Sequence, residues 1–271
     1  MSFKQFIKDR PKLYNALFMF GIYGPRQVSF WFKYLIRSLG IKGRYDYFLL
    51  KPYKNKHQGK RCFIVGTGPS LKMEDLEKIK GEYSFSVNSI VLSFADTTWR
   101  PTYYAIGDRF GYEKLKTAIR EAKMPIIFCG ISNKVMTPRM DVDFIPYPVN
   151  LLDHGKMIPE HINKFGGDAF KVVYDGHSIT YSAMELAVYM GFKEIVLLGI
   201  DCDYSKAVNH IKAYSVQTDI NAAYLMRESY KIARKWTDEH GVKILNATRN
   251  AKLDVFERVD LEVILDKKNA I

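Results

Sequence analysis

The sequence predicts an α/β fold built on a single Rossmann-like, doubly wound and mostly parallel sheet. Short apolar runs of the kind found in buried strands alternate with helical segments through most of the chain. The first run, at 62–65, passes through the turn GTGPS at 66–70 into a helical segment, as the first strand of a Rossmann fold does. With 271 residues, the chain is long enough to bury a full core.

The remaining elements follow from periodicity and from helix stop signals. A helix over 178–190 has its apolar residues on one face and ends at Gly191, and the run IVLLGI at 195–200 is the clearest buried strand. Further strands are predicted at 83–88, 102–106, 125–129, 171–174 and 243–245, and further helices at 73–80, 112–123 and 218–240. Strands that alternate with helices in this way favour a parallel sheet.

The chain divides into an arm and a body. Residues 1–60 form a basic, aromatic, helical arm, and residues 61–271 form the Rossmann-like domain. Within that domain, residues 131–167 contain four prolines and a glycine pair. This composition predicts a loop-rich insertion that covers the site as a lid.

The charge of the chain is concentrated in the arm. The formal net charge is +12, and residues 1–60 hold 13 Lys or Arg against Asp9 and Asp46, a net charge of +11. Basic and aromatic residues together indicate an anionic membrane surface, and the segment 28–39 is typical of an interfacial helix with Lys33 and Arg37 one turn apart. The alternatives are an arm packed on its own domain or on a neighbouring subunit. No motif supports nucleic-acid binding.

Cysteine use and hydropathy indicate the compartment. The three cysteines have no paired spacing, which favours reduced thiols and a cytoplasmic protein. The sequence shows neither a signal peptide nor an apolar stretch long enough for a transmembrane helix. We therefore expect a cytoplasmic protein peripheral to the inner face of the membrane.

Polar residues follow five of the predicted strands. In parallel α/β sheets, ligands bind outside the carboxyl ends of the strands, so these residues are expected to converge on one site. They lie at 66–70, Asn88, Asp108, 201–204 and 246–249.

Several sequence blocks resemble a known superfamily. The turn VGTGPSL, the block ITYSAMELAVYMGFKEIVLLGIDCDY at 179–204, the QTDI at 217–220 and the block at 246–265 resemble the bacterial lipooligosaccharide sialyltransferases (glycosyltransferase family 42). They also resemble the related motility-accessory-factor proteins, the domain of unknown function 115. The resemblance covers about 61–265, and the second block is its most specific part.

The resemblance implies a nucleotide-sugar transferase. Its donor would be a CMP-activated acidic sugar, sialic acid or a related nonulosonate, and transfer would invert the anomeric centre without a metal cofactor. Gly66, Thr67 and Gly68 would face the phosphate and sugar, Asn88 and Asp108 the ribose and base, and Ser178 the cytidine. The complete set of expected donor-binding residues is Gly66, Thr67, Gly68, Ser70, Asn88, Asp108, Ser178 and Asp201.

The catalytic residues are less directly implied. The family places an aromatic residue where this chain has Asp203, followed by Tyr204, and a histidine base where this chain has Tyr214. We expect His210 to act as general base, since imidazole has the required pKa range. Tyr204, Tyr214 and Arg249 would donate hydrogen bonds to the leaving phosphate.

Other functions also fit the residues. Asp201-x-Asp203 matches the signature that holds Mg²⁺ or Mn²⁺ in metal-dependent nucleotide-sugar transferases. The same superfamily includes pyrophosphokinases of the 6-hydroxymethylpterin type, and a non-catalytic membrane-surface binding factor is a third class. For the transferase, the expected partners are a nucleotide-sugar donor, a cell-surface glycan or lipid-linked acceptor, and the anionic membrane through residues 1–60. A homo-oligomer is also consistent with the aromatic arm.

Overall fold

The computed structural model describes residues 9–132, 140–155, 163–203 and 220–266. Within this part of the chain the strands lie at Arg61–Val65 (β1), Ser84–Val87 (β2), Tyr103–Ile106 (β3), Ile127–Ser132 (β4), Ile145–Val149 (β5), Glu194–Leu198 (β6), Lys243–Asn246 (β7) and Glu257–Arg258 (β8). The α-helices lie at Pro11–Phe18 (α1), Gly24–Ser38 (α2), Met73–Lys78 (α3), Arg109–Ala122 (α4), Ile179–Tyr189 (α5), Ile220–Glu239 (α6) and Leu261–Asp266 (α7).

The eight strands form one sheet in the order β5-β4-β3-β2-β1-β6-β7-β8. Every pair of neighbours is parallel, and β1 is paired with β2 on one side and with β6 on the other. The strand order therefore reverses between β1 and β6, which is the arrangement of a doubly wound α/β fold. The predicted Rossmann-like fold is confirmed.

The sheet has a hydrophobic layer on each face because successive side chains of a strand point to opposite sides. Cys62 and Ile64 of β1 belong to the layer beneath α5, whereas Phe63 and Val65 belong to the layer beneath α3, α4 and α7. All four side chains are fully buried. The central strands are thus apolar on both faces, as expected for a parallel sheet covered by helices.

Strand β5 lies inside the segment that was predicted to be a loop-rich lid, residues 131–167. Its sequence IPYPV has two prolines, a composition that normally argues against a strand. Pro146 and Pro148 have their backbone polar groups on the outer edge of the sheet, since the Pro148 oxygen accepts a bond from the Val173 N–H at 2.8 Å. Missing N–H groups on that edge do not interrupt the ladder to β4. Residues 145–149 therefore form a strand, which corrects the prediction of a loop-rich segment at these positions.

The strand predicted at 171–174 is reduced to one isolated bridge between Val149 and Val173. β8 and α7 were not predicted. β8 is only two residues long and exposed, so it has no apolar run that could have revealed it.

The arm is helical, as expected, and continuous with the body. A π-helical turn at Met19–Tyr23 joins α1 to α2, and a 3₁₀ helix follows at Tyr47–Tyr53. Leu50 is fully buried in the core, and the N–H groups of Asn55 and His57 donate to the carbonyls of Tyr189 and Met190 at the end of α5. Residues 50–60 of the arm therefore pack as part of the body.

No helix among the described residues is both long enough and apolar enough to cross a membrane.

Candidate functional site

The candidate site lies where the strand order reverses, between the carboxyl ends of β1 and β6. These two strands are paired from Arg61 with Glu194 to Val65 with Leu198. The turn at 66–70 leaves β1 and the turn at 199–203 leaves β6, so the two turns lie side by side. A crevice at this point is the usual ligand site of an open α/β sheet.

The two turns approach each other too closely for a side chain. A Cβ on Gly68 would lie 1.8 Å from Oδ2 of Asp201 and 2.8 Å from the Gly199 oxygen. The N–H groups of Gly66 and Gly68 donate to the carbonyls of Leu198 and Gly199, both at 2.8 Å. Packing between the turns therefore explains the glycines, and a phosphate at this turn would need donors other than these two N–H groups.

Asp201 is held in place from two sides. The Ser70 hydroxyl donates to its Oδ2 at 2.8 Å, and its backbone oxygen accepts the Lys252 N–H at 3.0 Å. Cys202, which follows it, has a left-handed backbone with φ of +51°. The structure thus brings together Ser70, Asp201 and Gly68, three of the predicted donor-site residues.

The alternative metal site consists of the carboxylates of Asp201 and Asp203. Asp203 accepts a hydrogen bond from the Lys252 ammonium at 3.0 Å. A lysine at this distance competes with a divalent cation for the carboxylate. Among the described residues, no group of three or more His, Cys, Asp or Glu side chains is arranged to hold a metal ion. The candidate metal ligands in the described crevice are therefore Asp201 and Asp203, of which Asp203 is already paired with a lysine.

Arg249 was expected at the leaving phosphate, and the structure places it against Asp75. Its Nη2 donates to Oδ1 of Asp75 at 2.6 Å, and its Nη1 donates to Oδ2. Asp75 is fully buried, and its Oδ2 also accepts the N–H of Lys72 at the start of α3. The two terminal nitrogens of Arg249 therefore fasten the turn after β7 to the start of α3.

Three more predicted donor-site residues end or begin elements at the same edge of the sheet. Asn88 follows β2 with φ of +46°, and Asp108 caps α4 by accepting the Gly111 N–H. Ser178 caps α5, and its hydroxyl accepts the Thr180 N–H at 3.3 Å. A Cβ on Gly107 would lie 3.4 Å from the side chain of Ile179, so the end of β3 and the start of α5 are neighbours.

The turn before α5 has an unusual backbone. Asp175, Gly176 and His177 are three consecutive residues with positive φ, at 69°, 50° and 64°. Two non-glycine residues in this region indicate a strained turn, which surrounding contacts must hold. The His177 ring stacks on the His154 ring, with centroids 3.8 Å apart and planes 14° from parallel.

Buried carboxylates support this turn. Glu185 is fully buried and accepts the N–H groups of Gly166 and Tyr174 at 2.9 Å and that of Asp175 at 3.3 Å. Burial raises the pKa of the Asp175 carboxyl, and the nearby charge of Asp108 raises it further. The hydrogen bond from Ser182 and the proximity of His177 lower it. The net result is a pKa above the usual value for aspartate. Burial also raises the pKa of Glu185.

The sequence analysis did not include Asp75, His154, Asp175, His177 or Glu185 among the expected site residues. The run Asp175-Gly176-His177-Ser178 before a helix was the available signal, because glycine beside a cap residue marks a tight turn. Asp75 and Glu185 carried no such signal, because each lies within a helical segment. Tyr204, His210 and Tyr214 lie outside the described residues.

A family model matches more than half of the chain. The family model described as 6-hydroxymethylpterin diphosphokinase MptE-like matches residues 44–207. This range includes both turns of the crevice and the turn before α5. No curated protein matches the chain.

Comparison with solved structures finds glycosyltransferases. The MAf glycosyltransferase from Magnetospirillum magneticum AMB-1 is similar at a TM-score of 0.52 with 16% sequence identity, over 86% of this chain. The similarity extends over only 42% of that protein's length. The sialyltransferase CstII from Campylobacter jejuni, in complex with the substrate analogue CMP-3FNeuAc, has a TM-score of 0.43 with 15% identity over 74% of this chain and 86% of that chain. At this identity, the MAf similarity supports the fold.

Proposed function

The chain belongs to the 6-hydroxymethylpterin diphosphokinase MptE-like family, and within this family we propose that it is a glycosyltransferase that takes its sugar from a nucleotide donor. The observation that carries this proposal is the crevice between β1 and β6, where the Ser70 hydroxyl is bonded to Asp201 at 2.8 Å. Asn88, Asp108 and Ser178 lie along the same edge of the sheet and extend the crevice toward α5. A nucleotide is the ligand for which this edge of a doubly wound sheet is suited.

The donor in this proposal is a CMP-activated acidic sugar, sialic acid or a related nonulosonate. The sequence blocks at 65–71 and 179–204 resemble the family that uses such donors. The metal ligands available in the crevice support this choice. A nucleoside diphosphate usually requires a divalent cation, and Asp203, one of the two candidate ligands, is already paired with Lys252. A CMP-sugar has a single phosphate, and its departure requires hydrogen-bond donors more than a metal.

The reaction would proceed by direct displacement. His210 would take the proton of the acceptor hydroxyl, the acceptor oxygen would bond to the anomeric carbon, and the bond to the CMP phosphate would break on the opposite side. CMP would leave with the electron pair, stabilised by the hydroxyls of Tyr204 and Tyr214. The configuration would be inverted. Arg249 would contribute through Nε or after release from Asp75, since both terminal nitrogens are engaged.

The acceptor in this proposal is a cell-surface glycan or a lipid-linked oligosaccharide at the inner face of the membrane. The excess of basic residues in the arm supports contact with an anionic surface. A lipid-linked acceptor would then reach the crevice from that surface.

A thermal-shift panel tests the proposal. The full chain is heated with CMP, CDP, UDP, GDP, ADP or ATP, each in Mg²⁺ and in EDTA. Stabilisation by CMP in EDTA is the expected result and would be followed by tests of CMP-sugars. Stabilisation only by UDP or GDP with Mg²⁺ would move the function to a metal-dependent transferase, and no shift with any nucleotide would indicate a binding factor.

A second candidate function is diphosphoryl transfer from ATP, which the family description favours. It predicts stabilisation by ATP with Mg²⁺, with Asp201 and Asp203 as the metal ligands. Two matched variants separate the candidates. Under the diphosphokinase hypothesis, Asp201→Asn and Asp203→Asn both abolish the shift with Mg²⁺ and ATP. Under the glycosyltransferase hypothesis, Asp203→Asn leaves the CMP shift nearly unchanged and Asp201→Asn weakens it.

A further inference from the structure

The arm presents a long apolar face to solvent. Large apolar side chains recur every three or four residues from α1 into the π-helical turn, and again from α2 to its C-cap Leu39, which places each set along one side of the helix. The most exposed are Phe20 at 84%, Val28 at 71% and Leu39 at 70%. We call the full set the apolar stripe, and it consists of Leu13, Leu17, Phe20, Val28, Phe32, Leu35 and Leu39. Isolated exposed apolar residues are ordinary, but a continuous stripe marks an interaction surface.

The opposite side of α2 is bound to the body by polar contacts. Arg37, which is buried, donates to the carbonyls of Phe170 and Lys171 at 2.7 and 3.1 Å. Gln27 accepts a bond from the side-chain amide of Asn150 at 2.9 Å. Because these contacts fix the helix from behind, the apolar stripe is held facing outward.

The charge around the stripe selects the kind of partner. Arg10 and Lys12 at the start of α1, and Lys42 and Arg44 just after Leu39, are exposed at the two ends of the stripe, and α2 has no acidic residue. Long basic side chains beside an apolar face can reach toward phosphate groups while their stems stay in contact with apolar surface. Two copies of this chain meeting through the stripe would bring two strongly basic arms together, which electrostatic repulsion opposes.

The stripe lies near the functional edge of the sheet. The Tyr23 hydroxyl, between α1 and α2, donates to Asp153 at 3.1 Å. Asp153 immediately precedes His154, whose ring stacks on His177 at the start of α5. A membrane bound at the stripe would therefore lie beside the carboxyl end of β5 and the turn before α5.

We propose that the apolar stripe inserts into the headgroup layer of an anionic membrane and holds the carboxyl edge of the sheet next to it. This deepens the membrane partnership in the proposed function by naming the surface that makes the contact. The arm before residue 44 lies outside the family match, so this surface is a feature of this chain beyond the matched region. Interfacial helices of this kind bind through buried apolar area together with attraction to anionic lipids.

Vesicle flotation of the full chain, without nucleotide, tests the proposal. Vesicles of phosphatidylcholine are compared with vesicles containing equal parts of phosphatidylcholine and phosphatidylglycerol. We expect binding to the anionic vesicles, weakened by salt. The double variant Val28→Ser with Phe32→Ser should bind at least about tenfold more weakly. It removes two apolar side chains from the surface that the membrane would bury.

Matched controls come from exposed apolar residues elsewhere in the chain. Phe110 and Val263 are exposed to a similar degree as Phe32 and Val28 but lie on α4 and α7. The double variant Phe110→Ser with Val263→Ser should retain vesicle binding, and circular dichroism should show both double variants folded. Equal loss in both pairs, or no binding by the unaltered chain, would overturn the proposal.

A second measurement distinguishes insertion from self-association. The chain already contains Trp31, Trp99 and Trp236, so the emission of the unaltered chain is subtracted from that of the variant Phe32→Trp. The added indole emission should shift to shorter wavelength with anionic vesicles and be quenched by brominated lipid. Sedimentation should show that the unaltered chain forms no oligomer that the substitutions in the apolar stripe dissociate. A dimer abolished by Val28→Ser with Phe32→Ser, without emission change on vesicles, would assign the stripe to a second copy instead. Because nucleotide plays no part here, failure of the membrane proposal and failure of the proposed reaction remain separate results.

Discussion

The carboxylate of Asp201 occupies the space that a side chain on Gly68 would need. Its Oδ2 would lie 1.8 Å from a Cβ at that position, and the same oxygen accepts the Ser70 hydroxyl at 2.8 Å. The turn after β1 and the turn after β6 are thus fitted to one another atom by atom. Any change at Gly68 acts on Asp201 before it acts on a ligand.

Gly68→Ala should therefore lower stability and displace Asp201. The Gly199 oxygen, which belongs to the backbone, would also lie within 2.8 Å of the new Cβ and cannot move as easily as a side chain. We expect a loss of about 1–3 kcal/mol in the free energy of unfolding, as overpacking typically causes. Urea unfolding followed by circular dichroism measures it.

Gly43→Ala is the matched control for this substitution. A Cβ on Gly43 would meet no atom within 4 Å, so its stability should change little. Combining Gly68→Ala with Asp201→Ala should restore part of the loss, because the closest clash is with the Asp201 side chain. A neutral Gly68→Ala would contradict the close approach of the two turns.

The pair Arg249 and Asp75 predicts an acid-dependent contribution to stability. Burial alone would raise the pKa of Asp75, but the hydrogen bonds from Arg249 and from the Lys72 N–H outweigh it and the net pKa is lowered. A lowered pKa in the folded state gives stability that is complete above the unfolded value of about 4 and is lost as pH falls through the folded value. Arg249→Met should cost about 1–3 kcal/mol at neutral pH because it leaves a buried carboxylate without its guanidinium.

The pH dependence of this effect identifies its cause. The difference in urea midpoint between Arg249→Met and the unaltered chain should shrink as Asp75 becomes protonated below about pH 4. Arg249→Lys keeps the charge without the paired geometry and should fall between the two. A difference that stays constant with pH would show that Arg249 acts through packing alone. Loss of the CMP shift in Arg249→Lys with full stability would instead place Arg249 at the phosphate.

The sequence predicted the central part of the fold because its strands are apolar on both faces. β1 and β6 were recognised from their apolar runs, and their neighbours from the alternation with helices. β5 could not be recognised, because Pro146 and Pro148 are tolerated only on the outer edge of a sheet. Which strand lies at an edge depends on the strand order, which local sequence does not contain.

The positions of some candidate site residues were predictable from the order of strands and turns, and their contacts were not. Asn88 directly follows β2, and Ser70 and Asp108 lie in the turns after β1 and β3, so the topology rule was enough to predict that they share one edge of the sheet. The partner of Arg249 was not predictable, because Asp75 lies 174 positions away and reads as an ordinary acidic residue in the first turn of a helix. The strained turn of 175–177 depends on Glu185, whose three backbone bonds exist only in the folded chain.

Asp175 should make the stability of the fold depend on pH in the opposite direction to Asp75. Burial raises its folded pKa, so the stability associated with its neutral form is present below the unfolded value of about 4 and is lost as pH rises through the folded value. Asp175→Asn is neutral at every pH and can still accept the Ser182 hydroxyl bond. Its urea midpoint should therefore rise relative to the unaltered chain as pH increases.

Ser182→Ala is the companion variant for Asp175. It removes a hydrogen bond that lowers the pKa of Asp175, so the loss of stability with rising pH should continue to higher pH and become larger in total. The pKa of Glu185 is also raised by burial, so its effect on stability has the same direction with pH. Glu185 is unchanged in both variants, and its contribution is therefore common to them. Identical pH profiles for Asp175→Asn and the unaltered chain would show that Asp175 does not titrate differently in the two states.

The left-handed backbone of His177 predicts which substitutions the turn before α5 accepts. Its φ is +64°, a region that asparagine adopts readily and that a β-branched residue adopts only with strain. His177→Asn should remain folded with a modest loss of stability from the missing ring stack on His154, whereas His177→Val should lose a further 1–2 kcal/mol, approximately. Urea unfolding of both variants measures the difference, and equal stability would contradict the strained backbone. If His177→Asn is folded but no longer stabilised by CMP, the imidazole contributes to the nucleotide site; an unchanged CMP shift would limit its role to the turn.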